Sequence, residues 1–121
     1  MIHHLLTESQ WVQADGGPLH PVSLRTEGFV HCSPDEATLL AVANRFYRAV
    51  DEPFLVLDLD EERVGYPVRW EPPAHPDGRP ATPGEPWFPH LYGPVEPGAV
   101  TAVRRMRRSP DGTFVAIDIP A

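Results

Sequence analysis

Glu27-Gly28-Phe29-Val30-His31-Cys32-Ser33-Pro34-Asp35-Glu36 is the stretch on which the reading of this chain turns. Successive side chains of an extended segment point to opposite faces. A strand over residues 27–32 therefore sets Phe29, His31 and Ser33 on one face, and Val30 and Cys32 on the other. A helix start follows directly. Ser33 is placed to cap it, Pro34 suits its first position, and Glu36 completes a capping box. Leu39, Val42 or Ala43, Phe46 and Val50 continue at helical spacing, which predicts a helix to about Ala49 packed on a sheet. Strand passing into helix, with His31 at the junction, implies an α+β fold with a polar pocket around that histidine.

Upstream, Ile2 to Leu6 reads as a first strand and Thr7-Glu8-Ser9-Gln10 as a capping box. The helix it opens should carry Trp11 and Val12 inward and stop near Gly16-Gly17-Pro18. The segment from Leu19 to Arg25 is expected to be a loop or a short irregular strand. Downstream, Phe54 to Leu59 is apolar on both faces until Asp58, the pattern of a central strand. A shorter strand spans residues 68–71. Nine prolines then fall between Pro72 and Pro97, which argues against a regular helix or an interior strand there. A loop of that length in a compact domain is more often a pocket wall than idle. Within it stands the aromatic string Trp87-Phe88-Pro89-His90-Leu91-Tyr92-Gly93-Pro94. Residues 99–106 and 113–119 read as a hairpin turned through Ser109-Pro110-Asp111-Gly112. The expectation is one domain over residues 1–121, with two helices and a mixed or antiparallel central sheet.

Composition narrows the function classes. The 121 residues carry a net charge of −7, which argues against bulk nucleic-acid binding. Arg104-Arg105-Met106-Arg107-Arg108 is the exception, and alternation on a strand would split it between faces, as a solvated strand end. No apolar run approaches a membrane span, and the N-terminus lacks the pattern of a signal peptide. Cys32 is the only cysteine, so the chain has no internal disulfide and suits a reducing compartment; a cytoplasmic protein is the expectation.

Six histidines are the main chemical resource. His4 lies on the first strand, His31 before the capped helix, and His90 in the aromatic loop. His3 and His4 are adjacent on a strand, so only one of them should face a given pocket. His20 and His75 sit beside prolines in loops and read as half-buried side chains, each satisfied by one hydrogen bond. The free amides at the Pro34–Ala37 turn suit an anion such as phosphate, although Asp35 and Glu36 already supply negative charge there. Three imidazoles make a recognised zinc sphere, but no HxH, HxxxH or HExxH spacing occurs, and no metal ligand is assigned. Cys32 faces away from His31, which leaves it a small core residue and not a nucleophile.

The order of these pieces resembles the bacterial family known as domain of unknown function 952. The likeness rests on Ile2-His3-His4-Leu5 with its tryptophan-bearing helix, on the residues 27–33 quoted above, and on Ala43-Asn44-Arg45-Phe46-Tyr47. It continues through Leu55-Val56-Leu57, Arg69-Trp70-Glu71 and residues 88–94. That family is similar in fold to the ADP-ribosyltransferases, including the RNA 2′-phosphotransferases. The resemblance implies a cleft for NAD or a related nucleotide. His4 would hold the ribose, His31 would flank the leaving base, and His90 with Tyr92 would close the pocket. The implied catalytic set is His4, His31 and His90; the implied cofactor contacts are His4, Phe29, His31, Ser33, Arg69 and Tyr92. Arg25 and Arg69 are the candidate phosphate ligands, since a guanidinium grips phosphate with two bonds. The chain departs from the superfamily at the late catalytic glutamate, because Glu71 comes earlier than that residue should. Two other readings remain open: a non-catalytic small-ligand module, and a different enzyme using the histidines for acid–base or metal chemistry.

Overall fold

The computed structural model describes residues 1–73 and 82–119. His75 and the middle of the proline-rich segment lie outside the described residues. In chain order the elements are β1 (Ile2–Thr7), α1 (Glu8–Ala14), α2 (Val22–Thr26), β2 (Val30–His31), α3 (Glu36–Phe46), β3 (Phe54–Leu59), β4 (Val68–Glu71), β5 (Phe88–Leu91), β6 (Val100–Arg108) and β7 (Phe114–Ile117). They form an α+β arrangement of two antiparallel sheets, β1-β3-β6-β7 and β2-β5-β4, where one central sheet was expected. Among the described residues a single backbone bridge joins them: the His3 and Ser33 amides each donate to the other's carbonyl, at 2.9 and 2.7 Å.

β3 is buried along its whole length, as its unbroken apolar run predicts. One face of the large sheet presents Ile2, Leu6, Leu55, Leu57 and Leu59 to Val30, Cys32 and Leu91 of the small sheet, and together they make the larger core. The other face sets Val56, Phe54 and Met106 against Leu39 and Ala43 of α3. Asn44 fastens α3 to the sheet edge by a reciprocal pair of bonds with the Phe114 backbone, at 2.9 and 2.7 Å. These satisfy one position of edge strand β7 that would otherwise be open to another chain.

Several boundaries differ from expectation for local reasons. Thr7 caps α1 with Gln10 reaching back, as the capping box requires, but Val12 points to solvent and only Trp11 packs on the core. A third helical turn, α2, occupies the segment expected to be irregular. At five residues it is too short for periodicity to register. Gly28, at φ +89°, closes that turn by donating to the Ser23 and Leu24 carbonyls. Left-handed backbone suits glycine, so the strand expected over 27–32 shrinks to Val30–His31. Ser33 is held in the bridge to His3, and Asp35 caps α3 instead, accepting from the Thr38 amide at 2.7 Å. The helix ends at Phe46, short of Ala49. Arg108 takes up carbonyls just beyond it, those of Arg48 and Val50, at 2.7 and 2.6 Å.

Two larger corrections concern proline and arginine. β5 contains Pro89 yet is the middle strand of the small sheet. An antiparallel residue directs its amide and carbonyl to the same neighbour. The Pro89 carbonyl accepts from the Cys32 amide, so the missing donor falls on the β2 side, where that two-residue strand is already ending. The arginine-rich strand alternates as expected, with Arg105 and Arg107 exposed, but its other face is buried and its arginines are paired. Arg104 is buried against Asp58 (2.8 Å), Arg105 pairs with Glu8 (2.9 Å), Arg107 pairs with Asp118, and Arg108 lies over the Phe114 ring (4.2 Å). Among the described residues no helix is long and apolar enough to cross a membrane.

Candidate functional site

The register of the small sheet gathers the chemistry. His31 stands opposite His90 and His90 opposite Arg69, so the three share one row on one face. Alternation adds Phe29, Phe88, Tyr92 and Glu71 to that face. Val30, Cys32 and Leu91 turn the other way into the core. Burial pushes the Cys32 thiol up to about 12, with Glu61 adding to the effect, which leaves it protonated and inert as a nucleophile.

A cleft of about 950 Å³ runs beside β1, between α3 on one side and α2 with the small sheet on the other. Its size matches small-ligand sites, which span about 300–1,000 Å³. Mostly apolar groups wall it, with His4, His31, Ser33 and His90 among the polar ones. Phe29, Arg69 and Tyr92 do not border it; they stand behind or beside its histidines. Phe29 stacks on His90 with ring centroids 4.1 Å apart and meets His31 edge-on at 5.1 Å. The guanidinium of Arg69 lies 4.9 Å from the Tyr92 ring.

Each histidine is held by a different partner. His4 Nδ1 sits 2.8 Å from the His31 carbonyl oxygen. Burial pushes this imidazole down to about 4, with the hydrogen bond opposing and His31 adding slightly, so it is neutral at cellular pH. His90 Nδ1 lies 3.0 Å from Glu71 Oε1, which also accepts from the Tyr92 hydroxyl at 2.5 Å. These two bonds hold the Glu71 carboxyl below its ordinary range, Tyr92 contributing most. Burial lowers His90, against the pull of Glu71. His31 Nε2 lies 2.8 Å from Glu27 Oε2. The rings of His31 and His90 are 5.6 Å apart. His90 is thus an imidazole that burial keeps neutral and a carboxylate orients, with no hydrogen bond to Nε2 among the described residues.

His3 also borders the cleft, but its Nδ1 is engaged by Asp58 at 2.7 Å, and Asp58 is in turn held by Arg104. Both neighbours thus border the cleft, where only one of them was expected to face a given pocket. His20 borders the cleft as well and is exposed, where a half-buried side chain was expected. Asp35 occupies the Thr38 amide that a phosphate at the helix turn would need. Arg25 is exposed and outside the cleft. Among the described residues no group of three His, Cys, Asp or Glu side chains could hold a metal ion.

Sequence reasoning missed the carboxylates that orient the histidines. Glu27 lies four residues from His31, but the signal for that pair exists only if residues 27–31 turn instead of extending. Glu71 and His90 are joined through strand pairing, which no local pattern exposes. The cleft is also bordered by Arg45 and Glu85, 3.9 Å apart.

The fold recurs in protein CC0527 from Caulobacter crescentus. Its crystal structure is 26% identical over 94% of this chain and 92% of that one, with a TM-score of 0.72. A double mutant of that protein gives 24% and 0.73 over the same shares. Its solution structure gives 23% and 0.68, over 93% and 90%. Among curated proteins none matches. Residues 5–103 match the family described as "Protein of unknown function (DUF952)", and the chain belongs to that family.

Proposed function

We propose that the cleft binds a small organic molecule and that His90, oriented by Glu71, exchanges a proton with it. The observation that carries this reading is the Glu71–His90 pair at the wall of a cavity of about 950 Å³, beside a His4 that burial keeps neutral. A carboxylate on Nδ1 fixes the tautomer and the ring plane, so Nε2 stays available to accept. The apolar walls exclude water and strengthen whatever polar contacts a ligand makes. The test is to follow the ring signals of His4, His31 and His90 by NMR while small metabolites are added, with melting temperature in parallel. A ligand at about 100 times its Kd should add about 2.7 kcal/mol of stability. Compounds that bind while leaving all three rings unperturbed would remove the cleft from consideration.

A second reading is NAD or a related nucleotide held in an ADP-ribosyltransferase-like manner. The neighbouring rings of His31 and His90 at the cleft wall, with Phe29 stacked behind His90, favour it, because such rings can flank a planar base. His4 would then hold the ribose and His31 would flank the base, with Arg69 and Tyr92 outside the cleft and not in contact with the cofactor. Arg45 is the one cation bordering the cleft among the described residues, a thin provision for a pyrophosphate. Stabilisation by NAD and ADP-ribose that is lost in His31→Ala would support this reading.

A further inference from the structure

We infer that the ligand meets the three histidines as a hydrogen-bond donor, so that the cleft takes a phosphate-free polyol or amine and not a phosphorylated compound. The inference rests on the cleft reading above and names its ligand class. A carbonyl oxygen only accepts, so the proton of His4 is on Nδ1, facing the His31 carbonyl, and Nε2 carries a lone pair. Glu71 is held as a carboxylate by the Tyr92 hydroxyl, so His90 likewise donates from Nδ1 and exposes a lone pair on Nε2. Glu27 accepts from His31 Nε2, which leaves the lone pair on Nδ1. None of these three remaining nitrogens has a hydrogen-bond partner among the described residues.

The three rings are close together. His4 bonds the backbone of His31, and the ring of His31 lies 5.6 Å from that of His90. Protonation does not convert His4 or His90 to a donor near neutral pH, because burial disfavours the cationic form of each. The charges at the wall point the same way. Glu27, Glu85 and a single cation, Arg45, border the cleft among the described residues, and the chain has no lysine to add. A phosphate brought here would lose water to face lone pairs and carboxylates. A hydroxyl or ammonium group would find acceptors for each of its protons.

Matched pairs differing only in phosphate test this with the full chain: adenosine against AMP, ribose against ribose 5-phosphate, and ethanolamine against phosphoethanolamine. The phosphate-free member of at least one pair should bind at least about tenfold more tightly and shift the ring signals of His4 and His90. Long-range ¹H–¹⁵N spectra should show Nδ1–H on both of these rings. Tighter binding of the phosphorylated members, or Nε2–H on His4 or His90, would overturn the ligand class while leaving the cleft reading intact. If no member of any pair perturbs the cleft histidines, the ligand class falls, and the cleft reading then stands or falls on the wider metabolite titration.

Discussion

Lowering the pH from 7 to 5 should weaken the fold through His4, and the amount follows from its burial. The unfolded chain titrates this imidazole near 6.5, whereas in the folded chain burial pushes it down to about 4. In between, the unfolded state binds the proton that the folded state refuses. Stability is therefore full above about 6.5, falls as the pH drops, and stops falling below about 4. With those two values the loss between pH 7 and pH 5 is about 2 kcal/mol. That interval lies largely above the titration of the carboxylates. His90, also lowered by burial, adds loss in the same direction. The measurement is urea unfolding at a series of pH values for the natural chain and for His4→Asn. An asparagine amide can still donate to the His31 carbonyl but does not titrate. The natural chain should lose about 2 kcal/mol more than His4→Asn across the interval. Parallel pH profiles for the two would refute the reasoning, since they would mean that His4 takes up its proton without resistance.

Other expectations are as direct. Tyr92→Phe removes a hydrogen bond to Glu71 and should cost about 1 kcal/mol in chemical denaturation, while the Glu71 carboxyl, followed by ¹³C NMR, rises toward its ordinary range. Asp58→Ala removes the buried partner of both Arg104 and His3, leaves Arg104 only the half-exposed Glu36 as a counter-charge among the described residues, and should cost about 3–5 kcal/mol, read as a large fall in melting temperature. Glu36→Gln, at the half-exposed end of the same network, should cost less than about 1 kcal/mol. Gly93→Ala would bring a Cβ within 2.1 Å of the Tyr66 ring and should destabilise by about 1–3 kcal/mol, and much of this loss should be recovered in the double variant with Tyr66→Ala.

How far the sequence was legible depended on whether a signal was local. Thr7 with Gln10, the apolar run of β3 and the Ser109–Gly112 turn each write their structure into adjacent residues, and each appears as read. The α2 turn did not, because five residues hold no period and its closure at Gly28 looks, in sequence, like the start of a strand. Pro89 was read as a breaker because its missing amide was counted without knowing which neighbour it faced. The arginine strand was read as solvated because its partners Glu8, Glu36 and Asp58 are distant in sequence. In the cleft, His4 stood out on the first strand, His31 before a capped helix and His90 in an aromatic loop. What orients them, Glu71 and Glu27, came only with the pairing of β4 with β5 and the turn before β2.

Cys32 gives this chain a built-in clock. Its amide is bonded within the small sheet, and its neighbour Ser33 forms a bridge between that sheet and β1. The thiol is buried and strongly disfavoured as a thiolate. Parting of the two sheets should therefore expose it to a thiol reagent. Opening of the β6–β7 hairpin, at the far edge of the large sheet, leaves the sulfur covered. The rate of labelling reports separations of the very surfaces that enclose the cleft, with no engineered probe and with no second cysteine to confuse the signal.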